Sequence, residues 1–173
     1  MVGYMKHILI VNGYPTCGKT TFNNIVKEFC MAEIFSSIEP INQILTELGW
    51  DGVTKDEKYR NFASTLKSES TKFNDYSYHK VCEKIEEFLH NIKMNDFLLI
   101  DIREPDEIEK IKLQYLPLVK TIFIQNDNRK IDLTNESDKN VADYYYDYYI
   151  DNNDTLEELR YNIQVLLADI CEN

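Results

Sequence analysis

With 173 residues, 43% of them hydrophobic, the chain can bury one good core and lacks the material for two. A formal net charge of −11 argues against a general nucleic-acid surface, and no apolar run nears the ~20 residues of a membrane span. The N-terminus lacks a signal-peptide pattern, and Cys17, Cys30, Cys82 and Cys171 lack metal-ligand spacing, so reduced thiols in a cytoplasmic protein are expected.

The first predicted strand, Lys6 to Asn12, holds the apolar run Ile8-Leu9-Ile10-Val11. It leads into Gly13-Tyr14-Pro15-Thr16-Cys17-Gly18-Lys19-Thr20, which fits the phosphate-binding pattern G-x-x-x-x-G-K-[ST] without a mismatch. Beyond it Phe22, Ile25, Val26 and Phe29 recur at helical spacing, predicting a helix from Lys19 to near Glu33. Strand, loop and helix start are the context the pattern needs. Glycines let backbone N–H groups turn inward around phosphate oxygens, and the helix N-terminus adds partial positive charge. Lys19 then reaches the β- and γ-phosphates, and the Thr20 hydroxyl holds Mg²⁺. Cys17 reads either as a modifiable thiol or simply as a small residue of the loop.

A short strand is predicted over Ile34 to Ile38, and Pro40 suits the start of a helix with Ile41, Ile44, Leu45 and Leu48 on one face. That helix stops near Gly49. Trp50 to Asn74 is polar and helical in parts. Tyr78 to Lys93 forms a longer helix, and Phe97 to Asp101 a second strongly apolar strand. Glu104-Pro105-Asp106-Glu107 opens the next helix, Val119 to Gln125 is a strand, and Asn126 to Asn140 is polar without periodicity. Tyr148-Tyr149-Ile150 is a last short strand before an amphipathic helix, Leu156 to Ile170, with Thr155 and Glu158 as its capping box. The alternation predicts an α/β three-layer sandwich in a single domain, 1–173. Its sheet is parallel and roughly five-stranded, with helices on both faces.

Ligands of such sheets bind at the carboxyl ends of the strands. Asp101 ends its strand at that edge, the usual place for a second Mg²⁺-organising carboxylate, and Arg103 follows on the same side. The acid can orient metal water or the attacking oxygen while the cation binds phosphate and keeps the acid ionised. A surface Asp–Arg pair is the plainer alternative. The other arginines are Arg60, Arg129 and Arg160, the last on the exposed face of the final helix. In the run Tyr144 to Tyr149, alternate rings are expected to fill the core rather than stack on bases. His7, His79 and His90 have no neighbours that suggest catalysis or metal.

The loop, the Asp101-Ile102-Arg103 strand end and the order of elements resemble the P-loop kinases of small molecules, the nucleoside-monophosphate-kinase-like superfamily. Asp101-Ile102-Arg103 and Trp50-Asp51-Gly52…Lys55-Asp56…Arg60 are similar to deoxynucleoside monophosphate kinases and their phosphomevalonate kinase relatives. The resemblance implies ATP and Mg²⁺, with the γ-phosphoryl group passing to a small phosphorylated acceptor, a (deoxy)nucleoside monophosphate first. A kinase of a non-nucleotide metabolite and an ATP-binding regulatory module stay open. It further implies no nucleic acid polymer, no membrane, and a monomer or homodimer.

Residue by residue, the resemblance gives Gly13, Gly18, Lys19, Thr20 and Thr21 the ATP-phosphate role, with Tyr14, Pro15, Thr16 and Cys17 completing the loop. Phe35 to Asn74 corresponds to the acceptor-binding insertion, with Ser36, Ser37, Lys55 and Arg60 as candidates beside Arg103. Lys55 and Arg60 read equally as solvated helix residues. Residues 126–137 correspond to the lid over ATP. Only Arg129 and Lys130 supply its cations, and Arg129 is the one expected on adenine or the transferring phosphate. Asn152 and Asn153 match the place where a loop meets the adenine edge, or simply make a turn. Lys19, Asp101, Arg103 and Arg129 are the expected catalytic set, and Thr20 and Asp101 the metal ligands.

Overall fold

The computed structural model describes residues 6–91, 96–128 and 140–172. Five strands, β1 (His7–Asn12), β2 (Ala32–Ser36), β3 (Phe97–Asp101), β4 (Val119–Gln125) and β5 (Tyr148–Asp151), form one sheet in the order β2-β3-β1-β4-β5. Every pairing is parallel. The helices described are α1 (Lys19–Phe29), α2 (Glu39–Glu47), α3 (Glu57–Asn74), α4 (Tyr76–His90), α5 (Pro105–Gln114) and α6 (Leu156–Glu172).

The continuous apolar runs of β1 and β3 follow from their central position, because a parallel sheet with helices on both faces leaves no strand face wet. Ile8 to Val11 and Leu98 to Ile100 are fully buried, each contributing roughly 2 kcal/mol of apolar transfer. Alternate side chains serve opposite layers. Leu9, Val11 and Leu99 pack with Phe22 and Val26 of α1 and Ile163 and Leu167 of α6. Ile8, Ile10 and Ile100 pack with Val81 and Ile85 of α4 and Ile108 and Ile111 of α5. A third, smaller cluster lies apart from the sheet: Ile41 and Leu45 of α2 and Ala63 of α3, with Trp50, Tyr59 and Leu66 against them.

Several boundaries differ from the sequence pattern. The Cys30 N–H still bonds the Val26 carbonyl, but α1 ends at Phe29 rather than near Glu33. Pairing with β3 claims the chain from Ala32 onward, with Ala32 opposite Phe97 and Ser36 opposite Asp101. The polar stretch before Asn74 becomes one 18-residue helix, α3, because the Asp56 carboxylate caps it by accepting the Tyr59 N–H at 2.8 Å. Asp75, at φ 52°, separates α3 from α4, which therefore starts two residues before Tyr78. Thr155 accepts the Glu158 N–H at 3.2 Å, half of the expected capping box. In the tyrosine run Tyr146 is buried, Tyr144 and Tyr148 are half-buried, and Tyr145 is 87% exposed.

Register aligns the carboxyl ends. Val11 lies opposite Asp101, Asn12 opposite Phe123, and Gln125 opposite Asp151. The loop after β1, the Asp101-Ile102-Arg103 turn and the β5 exit therefore emerge on one edge.

Candidate active site

The loop from Gly13 to Gly18 is held by constraints its sequence encodes. Gly13 has φ 148°, and a Cβ there would lie 2.5 Å from the Ile124 carbonyl oxygen and 2.6 Å from the Cys17 sulfur. Only glycine passes that gap between β4 and the loop's own far side. Thr16 adopts φ 64°, a left-handed conformation costing about 1 kcal/mol in a non-glycine residue. The Cys17 N–H bonds the Tyr14 carbonyl at 3.2 Å and closes the turn. Cys17 itself is buried, and desolvation pushes its thiol pKa up, so it serves as a small apolar residue.

Gly18 caps α1 in a left-handed conformation and gives its first turn no side-chain acceptor. A cavity of about 400 Å³ sits there, lined by Pro15, Thr16, Gly18, Lys19, Thr20 and Arg103. Helix-terminal N–H groups, Lys19 and Arg103 give it an anion-binding character. The Lys19 ammonium donates to the carbonyls of Gly13 and, at 3.2 Å, Tyr14, spanning the loop. Thr20 and Thr21 are exposed in the first turn of α1.

Asp101 stands at the same edge. Asn23, one turn beyond Lys19, donates to its Oδ1 at 3.2 Å. Burial raises the pKa of Asp101, against the pull of the Asn23 hydrogen bond and the charges of Lys19 and Arg103. Among the described residues no group of three or more His, Cys, Asp and Glu side chains forms a metal cage. The donors instead suit Mg²⁺, which takes one or two protein oxygens and fills its shell with water and phosphate. The Asn23 Oδ1 is buried without a protein partner, which suits an ordered water of a hydrated cation beside Asp101. Thr20 and Asp101 are the residues that would hold it.

On the β2 side, Ser36 faces Asp101 in register, and the Ser37 N–H bonds the Asp101 carbonyl at 3.0 Å. The buried Ser37 hydroxyl accepts from Lys67 at 3.0 Å. Lys67 is buried too, paired with Glu104 at 2.5 Å and Glu107 at 3.3 Å. Sequence reasoning missed Lys67. Its signal was there, since Ala63 and Lys67 share one face of α3 and a run of acids follows Arg103. Lys55 and Arg60 are exposed, Arg60 two turns before Lys67 on α3. Trp50-Asp51-Gly52 closes an exposed turn in which the Asp51 carboxylate accepts the N–H groups of Val53 and Thr54.

Asn152 and Asn153, expected near adenine, have their side chains engaged with the protein. Asn152 donates to the Cys17 carbonyl at 2.7 Å and so braces the loop from the end of β5. Asn153 accepts the Asp127 N–H at 2.6 Å and donates to the Asp127 carboxylate at 3.1 Å. Arg129 and the 129–137 part of the expected lid lie outside the described residues. Asn12, also missed, accepts the Gly13 N–H at 2.8 Å and donates to the Arg103 carbonyl at 3.2 Å.

No protein-family model matches the sequence, and no curated protein matches it at the sequence level. Solved structures share its fold. The shikimate kinase of Aquifex aeolicus superposes with a TM-score of 0.59 at 13% identity, over 95% of this chain and 98% of that one. The chain has the P-loop small-molecule kinase fold. A thymidylate kinase from Candida albicans gives a TM-score of 0.53 at 10% identity, covering 95% of this chain and 92% of the other. A gluconokinase from Sinorhizobium meliloti gives 0.51 at 11% identity, covering 98% and 95%. Within this kinase fold, the Gly13–Thr20 loop stands at the sheet edge where the sequence pattern put it.

Proposed function

We propose that the protein is an ATP-dependent phosphotransferase that moves the γ-phosphoryl group to a small phosphorylated acceptor, a (deoxy)nucleoside monophosphate being the first choice. The observation that carries this reading is the convergence of the phosphate loop and Arg103 on one cavity of about 400 Å³, with Asp101, bonded by Asn23 of α1, at the same edge of the sheet. A simple nucleotide-binding module has no need of the second half of that arrangement.

Phosphoryl transfer asks little covalent work of a protein and much positioning and charge neutralisation. Loop amides and Lys19 bind the donor's phosphates, and Arg103 takes charge from the transferring group. Mg²⁺, held through Thr20 and Asp101, would neutralise phosphate charge. Ser36, Ser37 and Lys67 form the wall on the acceptor side, with Lys55 and Arg60 as cations on the insertion's outer face. Arg129 enters as a cation of the connection after β4. Asn152 and Asn153 keep the loop and the adenine side together. The three similar structures are named for three different kinases, so the acceptor rests on Arg103 and the resemblance of the 50–60 segment.

A panel of nucleoside monophosphates and phosphorylated metabolites with ATP–Mg²⁺, read as ADP release, tests this. Turnover with one acceptor, abolished by Lys19→Ala, is the expected result. Absence of turnover with every acceptor sinks the enzyme reading, and calorimetric ATP binding without a second phosphate ligand then marks a module.

A further inference from the structure

The tyrosine run contributes a residue to the site that neither the loop pattern nor the strand-end pattern contains. Asn12, fully buried at the end of β1, also donates from Nδ2 to the Tyr146 hydroxyl at 2.8 Å. Tyr146 in turn donates to the Val141 carbonyl at 2.6 Å. The polarity of this chain is fixed at both ends. The Gly13 N–H can only donate, so the Asn12 oxygen must face it. The Arg103 carbonyl can only accept, so the Asn12 nitrogen must face that side. With the amide locked, the Tyr146 oxygen receives a hydrogen and its own proton has one direction left, toward Val141.

The ring is held as firmly as the hydroxyl. Phe123 of β4 lies 5.0 Å away and Tyr144 5.0 Å away, and Tyr14 of the loop meets the same Phe123 edge-on at 6.0 Å. The Tyr146 N–H donates to the Tyr149 hydroxyl at 3.2 Å. Burial raises the phenol pKa far above its ordinary value, so the group remains a donor through the neutral range.

We propose that Tyr146 is a positioning residue for phosphoryl transfer, its hydroxyl completing the hydrogen bonds of the Asn12 amide that spans the Gly13 amide and the Arg103 backbone and so stiffening their spacing. This rests on the kinase reading above. Gly13 opens the phosphate loop and Arg103 lines the same cavity, so one asparagine ties the donor cradle to the cation's backbone. Without the hydroxyl, Asn12 loses one of its three hydrogen bonds and keeps a donor hydrogen with nowhere to place it inside a dry core, so the amide is held by Gly13 and Arg103 alone.

Tyr146→Phe, which keeps the ring, is compared with wild type by steady-state kinetics using ATP–Mg²⁺ and the acceptor found in the panel. Hydrogen exchange at the Gly13 amide is read against that of Ile10 in the same strand. The expected result is a kcat lowered about tenfold with KM for ATP little changed, since a small misplacement harms transfer more than binding. Exchange at Gly13 should accelerate about tenfold relative to Ile10, because the opening is local. Tyr144→Phe, which loses only a bond to Glu109, should change neither.

A kcat within about twofold of wild type, or Gly13 and Ile10 accelerating together, overturns the proposal. If wild type turns over no acceptor, the kinase reading has failed, and the Gly13-to-Ile10 ratio alone decides whether Tyr146 holds the loop. Should Tyr146→Phe not fold, Asn12→Asp takes its place. It keeps the acceptor for Gly13 and loses both donations, so a fall in kcat is expected, and wild-type kcat overturns the idea.

Discussion

The phosphate loop and the proposed acceptor wall are built in opposite ways. The phosphate loop is eight consecutive residues whose two glycines, left-handed threonine and helix start shape it from within. The wall beside Asp101 is assembled from Ser37, Lys67, Glu104 and Glu107, which are up to 70 residues apart and meet only in the folded chain. The first half is a local conformation and the second a buried charge cluster. Damage to them should therefore look different, in catalysis for one and in pH-dependent stability for the other.

The largest effect is expected from Lys19→Ala, which should lower kcat on the order of a thousandfold while the melting temperature barely moves. A large stability loss would erase the contrast. On the acceptor side, Lys67→Met leaves Glu107 buried and unpaired, and should cost about 3 kcal/mol near neutral pH. Burial already raises the pKa of Glu107, with Lys67 opposing that rise, so removing Lys67 raises it further. A carboxyl whose folded pKa exceeds its unfolded one binds more protons when folded, so its contribution to stability falls as pH climbs through the folded value. Denaturant midpoints of wild type and Lys67→Met should thus converge from neutral pH toward the ordinary carboxylate range. Parallel curves would remove Glu107 from the account.

Within the loop, Gly13→Ala drives a Cβ against the backbone carbonyl of Ile124, whereas at Gly18 the obstacle is the end of the Asn152 side chain. Both positions strain a non-glycine residue, but only the second neighbour can swing away. Gly13→Ala should therefore destabilise by about 2 kcal/mol or more and Gly18→Ala by visibly less. Equal losses in urea titrations would mean that strain alone decides. The smallest effect belongs to Asn152→Ala, which removes the brace on the Cys17 carbonyl. About 1 kcal/mol of stability and a few-fold of ATP affinity should go, the latter measured by calorimetry.

Legibility followed the same divide. The loop, the central strands and Asp101 could be read because each is encoded within a contiguous window: an unbroken motif, a run of apolar residues, an acid ending one. Asp56 as the cap of α3 and the exact pairing of β2 were not, since a cap competes with other acids and register depends on partners 65 residues away. Lys67 escaped for a simpler reason. A lysine in a polar helix is ordinarily solvated, and only the approach of Glu104 and Glu107 from another helix start makes its burial tolerable. Asn12 read as the end of a strand, and its three hydrogen bonds reach residues 13, 103 and 146.

The small cluster of Ile41, Leu45 and Ala63, kept apart from both faces of the sheet, has an evolutionary consequence. A segment that carries its own greasy seam can be reshaped, lengthened or exchanged without loosening the layers behind the Gly13–Thr20 loop. On the proposed kinase reading, selection can then retune which molecule reaches Asp101 while the surroundings of Lys19 stay as they are.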